Sequence, residues 1–175
     1  GLAVNEKTEE LLIVDTVRSD ILRYDLHDYH LNGMMVRSGS EAGMFHYPTN
    51  IFISRDGLIF ISDSLNFRIQ IFTPDGKFLR AFGTEGDSPG YFSRPKGVAV
   101  DSDGNIYVVD ALFDNVQIFD KEGRLLMAFG GPGHGYGEFW LPSGIFIDSN
   151  DRIYISDSYN KRVQVFQYME KEKNF

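Results

Sequence analysis

Apolar residues in this chain fall in short runs that alternate with polar ones, and no stretch repeats them at the spacing of an amphipathic helix. The clearest runs, GVAVD, IYVVD, VQIFD and LLMAFG over 97–130, are separated by turns rich in Gly, Asp and Asn. Nearly the same unit precedes and follows them. Phe45, Phe92 and Phe139 recur at intervals of 47, as do Pro48, Pro95 and Pro142; Asp15, Asp63, Asp110 and Asp157 are spaced 48, 47 and 47. A fixed period in this range marks a repeat architecture. Each unit holds about four strand-like runs joined by turn residues, which predicts one four-stranded antiparallel blade per unit. Blades side by side make an all-β β-propeller, here of about four units in a partial ring.

The units span about 1–47, 48–94, 95–141 and 142–168 of a single propeller region, followed by a charged tail, 169–175. The first unit is expected to place strands at 1–5, 11–15, 21–25 and 34–37, with 26–33 as the one insertion in the series. The second is more regular, with strands at 50–54, 58–63, 68–73 and 77–83. Asp56-Gly57 and Asp75-Gly76, like Asp103-Gly104 in the third unit, are strong hairpin signals, because both turn residues tolerate positive φ. The fourth unit supplies only three runs, 144–148, 152–157 and 162–168, since the tail is too charged to form an outer strand. An arc of blades leaves apolar faces uncovered, at a cost on the order of 5 to 10 kcal/mol. The expectation is that an upstream piece or another chain covers them.

Composition narrows the picture further. Of 175 residues 42% are apolar, including 15 Phe and 9 Tyr, enough for a sizeable core. A net charge of −8, from 25 acidic and 17 basic residues, disfavours nucleic acid or an anionic membrane as general partners. The absence of cysteine excludes disulfides and thiolate metal sites. No apolar run reaches the length of a membrane span, and residues 1–7 lack the features of a signal peptide, so any targeting segment is expected to have been removed or never present.

The recurring pattern P-x-G-[VI]-x-[VI]-D-x-x-[GD]-x-I-Y-[VI]-x-D, then R-[IV]-Q-[IV]-F, then G-x-x-G-x-G-x-F-x-x-P, resembles the NHL repeat over essentially the whole chain. It is best in units two to four. Unit one diverges, with Arg18 and Asp20 where units two and four carry Asn66 with Arg68 and Asn160 with Arg162; unit three has Phe113 and Asn115 there. The resemblance implies a six-bladed parent, of which four units are a part, with a closed four-bladed ring as the lesser alternative, and an exported bacterial protein. NHL-like propellers include RNA binders, a metal-dependent amidating lyase, extracellular domains of sensor kinases and surface proteins without known chemistry, so fold alone does not choose a function.

Chemical motifs are weak throughout. The innermost strands, Leu2-Ala3-Val4, Ile51-Phe52-Ile53, Val98-Ala99-Val100 and Ile145-Phe146-Ile147, place no histidine in the channel, where a similar lyase would hold its metal. His27, His30, His46 and His134 fall in loops; His27 and His30 sit near Asp25 and Asp28 but lack a third ligand. Asp101-Ser102-Asp103-Gly104-Asn105 reads as a hairpin turn rather than a calcium loop, and the glycine-rich 130–137 as a return between blades rather than a phosphate loop. The repeated Asp63, Asp110 and Asp157 recur with the scaffold, which favours capping of loop amides or pairing with Arg68 and Arg162 over catalysis. No cofactor and no catalytic residue is predicted.

More telling are departures from the repeat. Two residues after the repeated Asp, where NHL repeats usually carry a small residue, stand Val17, Leu65, Leu112 and Tyr159, with Phe67 and Phe113 in the same loops. These loops, and the returns carrying Tyr47, Arg94 and Trp140, should emerge on one face, because the chain reverses at every strand. Leu65, Phe67, Leu112, Phe113, Trp140, Tyr159, Tyr47 and Arg94 are therefore the expected binding residues of a non-catalytic interaction module for a protein or peptide, with Trp140 the best anchor. The alternative is an enzyme of lyase or hydrolase type, dependent on a ligand or metal, whose site is finished by blades absent here. RNA binding comes third, because Arg18, Arg94, Lys96, Lys161 and Arg162 compete with nearby acids.

Overall fold

The computed structural model describes residues 1–36 and 38–167, and its fifteen strands form four separate antiparallel sheets. The first blade is β1 (Leu2–Asn5), β2 (Glu10–Asp15), β3 (Asp20–Asp25) and β4 (Leu31–Val36). The second is β5 (Pro48–Ile53), β6 (Ile59–Asp63), β7 (Arg68–Phe72) and β8 (Phe78–Phe82). The third is β9 (Pro95–Val100), β10 (Ile106–Asp110), β11 (Asn115–Phe119) and β12 (Leu125–Gly130). The fourth is β13 (Gly144–Ile147), β14 (Arg152–Asp157) and β15 (Arg162–Gln167), three strands among the described residues. Strand order follows the chain in every sheet, and the innermost strands β1, β5, β9 and β13 pack in succession. The result is a partial ring of four propeller blades.

The core lies between blades. Alternation along a strand sends successive side chains to opposite faces of its sheet, so each blade offers one apolar face to the blade before it and one to the blade after. Leu12, Val14 and Ile21 of the first blade meet Ile51, Ile59 and Ile61 of the second. Ile69 and Ile71 of the second meet Val98, Ile106 and Val108 of the third, and Tyr107, Val116 and Ile118 of the third meet Ile147, Ile153 and Ile155 of the fourth. Phe45, Phe92 and Phe139, one per return, are fully buried, and each pairs in parallel with the start of its return, Ser38, Glu85 or Pro132. Gly83 and Gly130 permit this closeness. At φ of +100° and +94°, a Cβ there would lie 2.4 Å and 2.5 Å from the rings of Phe92 and Phe139.

Among the described residues the two end faces have no neighbour in the arc. Val163 and Val165 are 61% and 55% exposed, whereas Val116 and Ile118, which occupy the same places in the third blade, are 0% and 5% exposed. At the other end Leu2 is 68% exposed, against 5% for its equivalent Ile51.

Two local expectations need correction. The insertion of the first unit is shorter than 26–33, because β4 already begins at Leu31. Asp25 closes that turn by accepting from the backbone N–H of His27 at 2.7 Å, while its carbonyl accepts from Tyr29, which takes a φ of 59°. The turn closes from the Asp25 N–H to the His30 carbonyl, one residue longer than the Thr73–Lys77 turn of the second blade, while the register shift between Arg23 and Tyr24 recurs at Ile71/Phe72 and Ile118/Phe119. The second correction is a 3₁₀ turn, Ser64–Asn66, where no helical segment was expected; it ends on Phe67 in the left-handed region. Arg37, Tyr168 at the end of the expected run 162–168, and the tail at 169–175 lie outside the described residues.

Candidate functional site: the loop face and the channel

The chain reverses at each strand, so the second-to-third strand loops and the returns between blades lie at one end of the propeller, and the hairpin turns at the other. A repeated clamp holds the loop end. In the second blade the buried Asp63 carboxylate accepts from Arg68 Nε at 2.8 Å, Asn66 Nδ2 at 2.8 Å, Gln70 Nε2 at 3.0 Å and the backbone N–H of His46 at 2.6 Å. The remaining guanidinium nitrogens donate to the carbonyls of Ser40, Glu41 and Met44, which ties the return to the loop. The fourth blade repeats the arrangement, with Asp157 receiving Arg162, Asn160, Gln164 and the Trp140 N–H, and Arg162 holding the carbonyls of His134, Gly135 and Glu138.

Burial alone would raise the Asp157 pKa. The Trp140 amide and the Asn160, Arg162 and Gln164 side chains outweigh it and hold that carboxyl below its ordinary value. In the third blade Phe113 and Asn115 replace the Asn and Arg. There Asp110 accepts only from backbone N–H groups, of Ser93, Arg94, Leu112 and Phe113, and burial pushes its pKa up. Asn115 Oδ1 and Arg94 Nε are buried without hydrogen-bond partners. The repeated aspartates are thus occupied in fixing loops.

The residues expected to bind a partner divide by exposure. Leu112, Trp140, Tyr159 and Tyr47 stand in solvent. Leu65, Phe67, Phe113 and Arg94 are half-buried, and Phe67 packs against the core between the second and third blades. Its equivalents Asp114 and Lys161 share the left-handed backbone but are polar, so the ring's place against that core is not revealed by spacing. Trp140 and Tyr159 come together, with ring centroids 5.4 Å apart, and His134 stands edge-on to Trp140 at 5.2 Å. Asn160 serves both neighbours. Its amide nitrogen donates to Asp157, while its Oδ1 lies 2.6 Å from His134 Nδ1. Beside this cluster Tyr136 is fully exposed. Sequence reasoning passed over His134 and Tyr136 because they sit among the glycines of the return; the available signal was that neither position is aromatic in the other returns.

Along the channel, Leu2, Val4, Ile51, Val98 and Ile145 form an apolar wall. The hairpin-turn mouth is a cleft of about 470 Å³ lined by Asp56, Asp101, Asp103, Asp148 and Asp151, with Arg55. Asp101 and Asp148 accept from the amides of their own turns, and Asp151 accepts from Ser102 of the neighbouring blade. Asp148, despite burial that opposes it, is drawn down to about 2 by the Arg152 and Asn150 amides, the Arg152 guanidinium and the Tyr154 hydroxyl. Among the described residues, no group of three or more His, Asp or Glu side chains is placed to hold a metal ion. The loop-end mouth is lined by Thr16, Val17, Tyr47, Thr49, Asn50, Lys96 and Ser143.

The family described as 6-bladed beta-propeller matches residues 38–113 and 101–173. The chain belongs to that family. Over 50 residues it is 40% identical to RING finger protein nhl-1 of Caenorhabditis elegans, a stretch that covers 29% of this chain and 5% of that protein, in keeping with the NHL character of the repeat. Among solved structures, it is similar to a protein of unknown function from Bacteroides thetaiotaomicron, with a TM-score of 0.73 and 19% identity over 94% of this chain and 46% of the other. A streptogramin B lyase gives a TM-score of 0.70 and 14% identity over 96% of this chain and 54% of the enzyme. The chain therefore spans about half the length of these structures, and at such identities the likeness is one of fold.

Proposed function

We propose that this chain is a non-catalytic interaction module that presents its loop face to a protein or peptide partner, with Trp140 and Tyr159 as the anchor. The observation that carries this reading is the exposed ring cluster of Trp140, Tyr159 and His134 on a loop whose backbone is clamped by Asp157 and Arg162. Large amphipathic rings that are already held in place bury much area at small entropic cost, which is what dominant interface residues do. Leu112, Tyr47 and Tyr136 widen the apolar rim, and Lys161 and Arg94 set orientation. The repeated aspartates, occupied by loop amides and by the Arg68 or Arg162 guanidinium, and the apolar channel wall both support a binding role over a catalytic one.

Trp140 is the only tryptophan, so its fluorescence reports directly on the site. Peptides selected from a displayed library against this chain are expected to change that emission and to bind Tyr159→Ala about tenfold more weakly. Enriched peptides that leave the Trp140 emission and the Tyr159→Ala affinity unchanged would refute the reading.

A further inference from the structure

The loop-end mouth of the channel differs in chemistry from everything around it. In a chain of net charge −8, no carboxylate lines this concavity of about 380 Å³, whereas five aspartates line the opposite mouth. Its one charged group is Lys96, half-buried, whose ammonium has no ion pair or hydrogen bond among the described residues, while its backbone carbonyl accepts from Thr49 Oγ1 at 3.0 Å. Two of the lining residues also break the repeat. Lys96 stands where the second and fourth blades carry Thr49 and Ser143, whose hydroxyls are engaged with Ser64 and Ser158. Asn50 stands where the first, third and fourth blades carry Gly1, Gly97 and Gly144. At Gly97 a Cβ would come within 3.0 Å of Ile145, so the neighbouring blade leaves no room there; the second blade instead admits a side chain.

Among the described residues the Asn50 amide, the Thr16 hydroxyl and the Tyr47 hydroxyl have no hydrogen-bond partner, so three neutral donors and one ammonium line the same space. Asn50 also lines the adjoining groove of about 300 Å³, whose other walls include Leu2, Ile51, Val98 and Ile145. A polar, singly positive rim thus opens onto an apolar shaft.

We propose that this mouth binds an apolar monocarboxylate, with its two oxygens on Lys96 and Asn50 and its hydrocarbon body in the channel. One ammonium with neutral donors matches a single negative charge, and a charge-assisted bond to a half-buried lysine is stronger than one in open solvent. The hydrocarbon gains by leaving water for the apolar wall. The same chemistry comes from a free small acid or from the C-terminus of a peptide ending in an apolar residue.

The test is a titration of the isotope-labelled chain with hexanoate, hexanamide and N-acetyl-leucine at constant ionic strength, followed by NMR. Hexanoate is expected to shift the amide signals of residues 49–51, 96–98 and 143–145 saturably, and hexanamide not to. Lys96→Met should weaken hexanoate about tenfold or more, and Asn50→Gly, which restores the residue of the other blades, several-fold. Tighter binding of N-acetyl-leucine than of hexanoate identifies a peptide terminus as the source, and the reverse identifies a free acid. Non-saturating shifts, an equal response to hexanamide, or unchanged affinity in a folded Lys96→Met chain would overturn the proposal. Tyr159→Ala should leave hexanoate binding as it is, so this site and the aromatic rim fail or stand separately.

Discussion

At the scale of single residues, the repeated aspartate shows how one position serves different electrostatic ends. Asp157 is ionised beside Arg162 and held below its ordinary pKa, so its contribution to stability is present above the usual carboxylate range and lost as pH falls through its folded value. Asp110 has the opposite sign. Its pKa is raised by burial without a guanidinium, so its ionised form weakens the fold at neutral pH, and that penalty fades as the group protonates. Asp157→Asn is therefore expected to cost about 3 kcal/mol in urea unfolding at neutral pH, the scale for breaking a paired buried charge, and Asp110→Asn about 1 kcal/mol. The gap should narrow as pH falls below the ordinary carboxylate range, through the lowered value at which Asp157 itself takes up a proton. Equal costs for the two variants at neutral pH would show that the guanidinium is not what separates them. The sequence displayed this difference openly, as Asn115 in place of Arg68 and Arg162, but the partners of the guanidinium, three carbonyls on the return, come from 24 to 28 residues away and only the fold reveals them.

At the scale of strands and blades, the same residue type carries different weight according to what packs on it. Val116 and Val163 sit at equivalent points of successive blades, one sealed between blades and the other in solvent. Val116→Ala should therefore cost about 2 kcal/mol from lost burial and the cavity left behind, while Val163→Ala should cost under about 0.5 kcal/mol. Chemical denaturation of the two variants checks this; similar losses would mean that the outer face of the fourth blade is covered in solution. Strand positions were readable from alternation and turn residues because both are local. The start of β4 at Leu31 was not, since it depends on how the 25–30 turn closes against β3. Nor was the inward packing of Phe67, which follows from the core beside it.

For the whole molecule, the arc presents two end faces of complementary type, Phe146, Val163 and Val165 at one end and Leu2 and Val4 at the other. Each matches in kind what the adjoining blade faces bury internally, so these surfaces should associate. Sedimentation over about a hundredfold range of concentration is expected to show reversible self-association. Val163→Lys with Val165→Lys should suppress it without unfolding the chain, since neither residue lies in a core. A monomer throughout that range would show that the end faces do not pair. The sequence by itself determined the number of units, the strands within each and the family, because a 47-residue period and hairpin chemistry are written in order along the chain. Only the tertiary structure decided which repeat positions are covered and which meet across blades. Burial, the Trp140–Tyr159 contact and the joining of Lys96 to Asn50 at one mouth all depend on the lateral packing of blades, which no local pattern encodes.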